Sequence, residues 1–192
     1  QGLEEGESFN LIVYNQATDL FSPEPVLKND RNLEKARFYL ENVFPSGGTN
    51  IHEALVEGLR QRPRPGSLPI MLFLTDGLPT IGRTSESAIR SLVKTANPNR
   101  RRIFTFGVGA EVNTPLLESI ASLSRATATF ILPEENVGEK VTGLFKRLYG
   151  PVFSDLKLCI RDAEEKTGSR AQETVPSSMP DLFAGDQLVL TG

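Results

Sequence analysis

The sequence predicts an α/β domain with a Rossmann-like, mostly parallel sheet and helices on both faces. Apolar runs of strand length alternate with amphipathic stretches of helix length between residues 9 and 148, which is typical of a parallel sheet with crossover helices. The apolar run at 70–74 contains no polar residue, so it indicates a strand buried on both faces. Asp76 follows this strand almost at once, and ligands bind at the carboxyl ends of strands in open α/β sheets. With 192 residues, the chain has room for one such domain and little more.

Composition and charge narrow the class of partner. The net charge is −3, which gives no overall attraction to nucleic acid or to anionic membranes. Arg60, Arg62 and Arg64, and the arginines at 100–102, fall beside predicted loops without interleaved aromatic residues, so we interpret them as solvated and expect no nucleic-acid partner. No run approaches the roughly 18 apolar residues of a membrane span, and no membrane insertion of this segment is expected. Cys159 is the single cysteine, which excludes an internal disulfide and a thiolate metal cluster.

The first part of the chain predicts a strand, a short return strand and two helices. Residues 9–14 (FNLIVY) form the strand, and residues 20–21 return as an antiparallel edge strand before two prolines. Between 32 and 43, apolar residues recur at spacings of three and four, which predicts an amphipathic helix. Thr49 or Asn50 then caps the second helix, with a glutamate at the third position after Asn50, as a capping box prefers.

The second part predicts three further strand–helix pairs. Thr84 or Ser85 opens the first of these helices, and Thr114 is the expected N-cap of the next, with Pro115 in its first turn. The predicted strands are 70–74, 102–108 and 129–132, and the helices begin at 84 or 85, at 114 and at 137, the last ending at 148.

Beyond residue 150 the pattern changes to that of a β-rich module. Residues 153–160 and 187–190 have the apolar content of strands, and a polar stretch rich in Ser, Thr and Glu separates them. We therefore predict two domains, at 1–150 and at 151–192, the second being the beginning of a β-rich module.

Two loops carry the candidate functional residues. One leads into the second helix, and the other leaves the strand at 70–74. Thr49 offers a hydroxyl in the first loop and Asp76 a carboxylate in the second, and both are hard oxygen donors of the kind that Mg²⁺ prefers. Taken alone, these residues fit a helix cap and a turn better than a metal site.

The order of four motifs resembles the von Willebrand factor A domain. The motifs are FNLIVY, FPSGGTNI, LFLTDGLPTIG and RIFTFGVG. The sequence is most similar to the version of this domain in inter-alpha-trypsin-inhibitor heavy chains and their bacterial relatives. The resemblance covers about residues 3–150, and the segment at 180–186 is similar to the start of the β-rich region that follows the domain there.

The resemblance implies a divalent cation, Mg²⁺ or Mn²⁺, held at a metal-ion-dependent adhesion site. Thr49 and Asp76 match two of the family's three ion-binding loops, Thr49 as a direct ligand and Asp76 through a water. A protein partner would supply an Asp or Glu carboxylate as a further ligand, so the implied function is protein–protein interaction or adhesion without catalysis. The residues expected to support the two loops are Ser46, Gly47, Gly48, Asn50, Thr75 and Gly77.

The first loop of that family site, Asp-x-Ser-x-Ser, does not occur in this sequence. In the family it follows a strand that lies between those matched here by residues 9–14 and 70–74. We therefore expect a fragment of a longer protein, an A domain truncated at its amino terminus, in which the ion binds feebly or not at all. Family relatives with this continuation are mostly exported or surface-associated, which implies an extracytoplasmic location: secreted, periplasmic or on the cell surface.

Other functions remain open on the residues alone. A structural scaffold with an unused ion site fits the same pattern. A receiver-like phosphoacceptor domain would also place an Asp after a strand, but it needs a Lys after the strand at 102–108, where none follows. A dinucleotide-binding fold lacks the third glycine after Gly107 and Gly109. A hydrolase is disfavoured because His52 is the single histidine and no G-x-S-x-G motif occurs.

Overall fold

The computed structural model describes residues 3–44, 47–147, 151–154, 156–157, 179–183 and 187–189. The strands are β1 Ser8–Phe9, β2 Ile12–Tyr14, β3 Thr18–Leu20, β4 Val26–Leu27, β5 Ile70–Thr75, β6 Arg102–Val108, β7 Ala128–Ile131, β8 Pro151–Phe153 and β9 Leu182–Phe183. The helices are α1 Asp30–Glu41, α2 Ile51–Arg60, α3 Glu86–Thr95, α4 Thr114–Leu123 and α5 Val137–Arg147. Within this part of the chain, every helix is too short or too polar to span a membrane.

The largest sheet in the described residues is parallel, with strand order β5-β6-β7. The β5–β6 ladder runs from the pair Ile70 and Arg102 to the pair Thr75 and Gly107, and helices flank the sheet. The α/β class that the sequence predicts is therefore confirmed.

The most buried strand is β6, and the expectation that residues 70–74 are buried on both faces is wrong. Ile103 and Phe106 of β6 are both fully buried, and they lie on opposite faces because side chains alternate along a strand. In β5, Phe73 is buried but Leu74 is 38% exposed. The reason is position in the sheet: β6 pairs with a strand on each side, whereas β5 pairs only with β6 among the described residues.

The core joins α2, α3 and α4 to strands β5 and β6. In α2, Ile51, Leu55 and Leu59 are buried and recur at the spacing of one helical face. In α3, Ile89 and Val93 are buried, whereas Leu92 is half-buried and packs only at the margin of the core. The apolar face predicted for α3 is therefore wider than the part of it that the core covers.

Residues 9–14 form two short strands instead of the single strand predicted. β1 pairs with β4, and β2 pairs with β3. Asn10 separates them: its amide nitrogen donates to the carbonyl oxygen of Ser22 at 2.7 Å and to Oε1 of Gln61 at 2.8 Å. Its Oδ1 accepts from the backbone nitrogen of Ser22 at 3.2 Å. The side chain of Asn10 thus binds the backbone of Ser22 at the point where strand pairing is interrupted.

The helix caps follow the predicted positions to within one residue. Asn50 caps α2, since its Oδ1 accepts from the backbone nitrogen of Glu53 at 3.2 Å. In a capping box, the Glu53 side chain would accept a hydrogen bond from the backbone nitrogen of Asn50. Here that nitrogen donates to the backbone oxygen of Asn15 at 2.9 Å instead. Ser85 caps α3. The predicted cap of α4, Thr114, is wrong by one residue, because the N-cap is Asn113.

The chain divides into two compact units, Gln1–Glu135 and Asn136–Gly192. In the second unit β8 pairs antiparallel with β9. The strand predicted at 153–160 shares only Phe153 with β8; residues 154, 156 and 157 are not strand, and 155 and 158–160, including Cys159, lie outside the described residues. Residues 187–189 are not strand either, and residue 190 lies outside the described residues, as does Leu148 at the end of the predicted last helix. β8 is shorter than the predicted strand because only its residues pair with β9.

Candidate metal centre

Asp76 lies directly after β5, at the carboxyl end of the parallel sheet. Thr75 is buried, and its hydroxyl lies 3.3 Å from the carbonyl oxygen of Gly77 and 3.5 Å from its nitrogen. These contacts turn the chain at the strand end and leave Asp76 exposed. The Asp76 carboxylate makes no hydrogen bond or ion pair within the described part of the chain. Its oxygens are therefore available to an external ligand.

Thr49 is held by a loop that follows the same strand. Its backbone nitrogen donates to Oγ1 of Thr80 at 2.8 Å, and its carbonyl oxygen accepts from the backbone nitrogen of Thr80 at 3.0 Å. Because these bonds use only the backbone of Thr49, its own hydroxyl keeps its hydrogen-bonding capacity. The loop before α2 and the loop after β5 are thereby tied together.

The two loops meet at Thr49 and Gly77. A Cβ atom built on Gly77 would lie 3.7 Å from Oγ1 of Thr49. The Thr49 hydroxyl thus faces the turn that carries Asp76. The Thr49 hydroxyl therefore lies near Gly77, the residue after Asp76, and Thr75 belongs to the same turn.

Two of the supporting residues, Gly47 and Gly48, are glycines with little space for a side chain. Gly47 has a φ of +74°, a conformation that side chains rarely adopt, and a Cβ there would collide with the side chain of Gln16. A Cβ on Gly48 would lie 2.6 Å from Cδ1 of Ile81. The loop before α2 therefore packs closely at both glycines. Ser46, the remaining supporting residue, lies outside the described residues.

Tyr14 lies beside this site, although no motif in the sequence predicts it there. Its hydroxyl donates to the carbonyl oxygen of Leu74 at 2.8 Å, and its ring stacks on Phe73 with centroids 5.4 Å apart. Burial raises the pKa of Tyr14 to about 12; a hydrogen bond with Thr75 acts in the opposite direction, and the charge of Asp76 adds to the increase. The position of a tyrosine at the end of the first predicted strand is the only signal in the sequence that points to it.

The donor set fits a hard cation that keeps much of its hydration. Thr49 and Asp76 supply one hydroxyl and one carboxylate, and the described residues contain no cluster of three or more His, Cys, Asp or Glu side chains. Mg²⁺ is commonly held by one or two carboxylates and several waters. The arrangement suits weak binding of such an ion with positions left for an external oxygen.

The fold and these loops define a von Willebrand factor type A domain. The model of that family matches residues 1–130, and the chain belongs to it. The domain is of the type found in inter-alpha-trypsin inhibitor heavy chains. Over 198 residues it is 25% identical to inter-alpha-trypsin inhibitor heavy chain H4 of Homo sapiens, covering 99% of this chain and 21% of that protein. It is 28% identical to heavy chain H1 of Sus scrofa over 164 residues, covering 81% of this chain and 18% of that protein.

The chain thus spans about a fifth of the length of these relatives. Among solved structures, it is similar to a von Willebrand factor type A protein from Catenulispora acidiphila, with a TM-score of 0.70, 15% identity, and coverage of 80% of this chain and 36% of that one. It is also similar to proximal thread matrix protein 1 from the mussel byssus, solved with a zinc-occupied MIDAS motif, with a TM-score of 0.55, 21% identity, and coverage of 72% and 34%. Both likenesses concern the fold.

Proposed function

We propose that this domain is a protein-interaction or adhesion module that binds Mg²⁺ or Mn²⁺ through Thr49 and Asp76, without catalysis. A carboxylate of a protein partner completes the coordination of the ion. The observation that carries the proposal is the placement of the Thr49 hydroxyl beside the Asp76–Gly77 turn, with the Asp76 carboxylate unpaired within the described residues.

Each side chain has a separate role in the proposal. Asp76 supplies negative charge, which attracts the cation and orders waters around it. Thr49 supplies a neutral hydroxyl oxygen, and two hydrogen bonds hold its backbone, one to the hydroxyl of Thr80 and one from the backbone nitrogen of Thr80. The bound ion supplies an electrophilic position that accepts an anionic oxygen from outside. One carboxylate compensates only half of the charge of a divalent ion, which favours an anionic partner group over a neutral one.

The family supports the class of site, and the mussel protein with a zinc-occupied MIDAS motif is an example of it on a similar fold. By the same resemblance we propose an extracytoplasmic location and a domain boundary near residue 150. If the ion site is unused, the domain is a structural scaffold.

A Mn²⁺ titration followed by NMR tests the ion site. Mn²⁺ broadens signals of nearby nuclei, so we expect the amide signals of Thr49, Asp76 and Gly77 to be lost first. Asp76→Asn keeps the shape of the side chain and removes its charge, and we expect it to abolish selective broadening. Thr49→Val, which removes the hydroxyl, should weaken it. Mg²⁺ should reverse the broadening by competition.

Glu34→Gln is the matched control, because Glu34 is an exposed carboxylate on α1 that lies outside both loops. This variant should bind Mn²⁺ as the unaltered protein does. Broadening that is spread over all surface carboxylates, or that survives in Asp76→Asn, would contradict the ion site and leave the scaffold function.

A further inference from the structure

A groove runs between α2 and α3. Its lower part, about 830 Å³ in volume, lies between the carboxyl-terminal halves of the two helices and the loops that follow them. Its floor is apolar and includes Val56, Leu59 and Leu92. This volume is in the range of sites that hold small ligands or short peptide segments.

A second hollow, of about 460 Å³, continues the first toward the candidate metal centre. Val56, Arg60 and Leu92 line both hollows, so the two form one groove. At its upper end are Asn50, the cap of α2, and Gly82. From Asn50 to Arg60 the helix rises about 15 Å, at 1.5 Å per residue. That length matches about four or five residues of an extended peptide.

The groove is basic in a chain that is acidic overall. Arg83 lines the upper part, Arg62 the lower part and Arg60 both, whereas Glu53 is the one acidic residue among the lining side chains of the two hollows. Arg62 and Arg83 are exposed and make no hydrogen bond or ion pair within the described residues. Arg60 is paired with Glu57 at 2.6 Å. Two of the three cations thus have no counter-ion from the described chain.

Arg101 adds positive charge behind the lower end. Its guanidinium is buried, with 8% of the residue exposed, and it donates to the backbone oxygen of Gln61, between Arg60 and Arg62. Burial lowers the pKa of Arg101, and its Nε atom has no partner in the described part of the chain. A buried cation that forms no ion pair within the described residues raises the positive potential around it.

We propose that this groove binds an acidic segment of a protein partner that carries leucine-like side chains. The apolar side chains pack on Val56 and Leu92, and the carboxylates lie against Arg62 and Arg83. The proposal does not depend on the ion, because none of the arginines is a ligand of the candidate metal centre.

A peptide of about twelve residues, with leucines separated by Asp and Glu and a fluorescent label, serves as the probe. Fluorescence anisotropy should show saturable binding in EDTA as well as in Mg²⁺, and in Asp76→Asn as in the unaltered protein. The double variant Arg62→Glu and Arg83→Glu should weaken binding about tenfold or more, since two attractive contacts become repulsive. Leu92→Gln should also weaken it.

The double variant Arg31→Glu and Arg37→Glu is the matched control: both arginines are exposed on α1, outside the groove, and the same change in net charge should leave the affinity unaltered. Equal weakening by this control would overturn the proposal, because the attraction would then follow net charge. Equal binding of a peptide with serines in place of the leucines would overturn it too.

His52 gives an independent readout, because it lines the upper part of the groove and is the single histidine of the chain. Burial and then the charge of Arg83 lower its pKa, while Glu53 acts in the opposite direction. Carboxylates bound nearby favour the protonated ring, so the peptide should raise the pKa of His52 measured by proton NMR. An unchanged pKa with saturating peptide would place the peptide elsewhere and overturn the proposal.

Discussion

At the scale of single residues, Tyr14 links two sheets that have no backbone pairing with each other in the described structure. Its hydroxyl donates to Leu74 and its ring stacks on Phe73, so one side chain connects β2 to β5. Both contacted residues belong to the last part of β5, two and three positions before Asp76. The charge of Asp76 contributes to the raised pKa of Tyr14. Tyr14 therefore supports the strand end from which the candidate ligand projects.

Tyr14→Phe tests this link through the pH dependence of stability. The pKa of Tyr14 is raised from 10.0 to about 12, so its contribution to stability is complete below pH 10 and is lost as the pH rises toward 12. We expect the free energy of unfolding of the unaltered protein to fall over this window, and that of Tyr14→Phe to fall less steeply. Below pH 10 the variant should be less stable by about 1 kcal/mol, the usual contribution of one hydrogen bond.

Urea unfolding at several pH values measures both effects. Tyr39→Phe is the comparison, since the pKa of Tyr39 is also raised to about 12, by burial and by Asp19. Each single variant should reduce the slope of the free energy of unfolding against pH, and the double variant should reduce it more. A slope in Tyr14→Phe identical to that of the unaltered protein would show that Tyr14 ionises equally easily in the folded and unfolded states.

At the scale of elements, α4 shows how a cap is chosen between two neighbouring candidates. Thr114 next to Pro115 is a good cap by residue type, but the N-cap is Asn113, whose Oδ1 accepts from the backbone nitrogen of Leu116 at 3.0 Å. The amide nitrogen of Asn113 also donates to Oε1 of Glu86 at 2.8 Å, in the first turn of α3. One side chain thus caps α4 and joins it to α3.

Asn113→Ala should lower the free energy of unfolding by about 1–2 kcal/mol, because it removes a helix cap and the bond to Glu86. Thr114→Ala should change it by less than about 0.5 kcal/mol, as surface substitutions away from such features do. Urea unfolding of the two variants side by side gives the comparison. A larger loss in Thr114→Ala would identify Thr114 as the working cap.

At the scale of the whole molecule, stability is centred on β6. The strand pairs in parallel with β5 and β7, and its residues from 102 to 107 are all buried. Thr105 donates its hydroxyl to the backbone oxygen of Leu117 at 3.0 Å, so α4 is bound to the strand by a hydrogen bond as well as by packing. The strands of the two-stranded pairs near the amino terminus, β1 to β4, contain no buried residue.

Amide hydrogen exchange should reflect this difference. We expect the amides of β6 to exchange most slowly, by global unfolding, and those of β2 and β3 orders of magnitude faster, by local opening. Exchange in β5 should be intermediate, since β6 is its one paired neighbour in the described sheet. Equal protection of β5 and β6 would show that the other edge of β5 is covered in solution.

Local patterns in the sequence determined much of this architecture. The elements are predicted by the apolar runs at 70–74 and 102–108, by the helical spacing in α2 and by the polar caps. These patterns are local because the residues that an element buries recur at the period of that element. The same patterns selected Thr49 and Asp76, since a loop before a helix and an acid after a strand are local features. The order of the motifs resembles that of the von Willebrand factor A family, to which the family model assigns the chain.

Only the tertiary structure decided which residues meet. The break at Asn10, the contact of Tyr14 with Leu74 and the partial exposure of β5 depend on neighbours that are distant in sequence. The groove between α2 and α3 likewise exists because two helices pack side by side and leave Leu92 half-buried between them. Periodicity specifies which face of an element is buried, but register and packing set what that face contacts, and no local pattern encodes those.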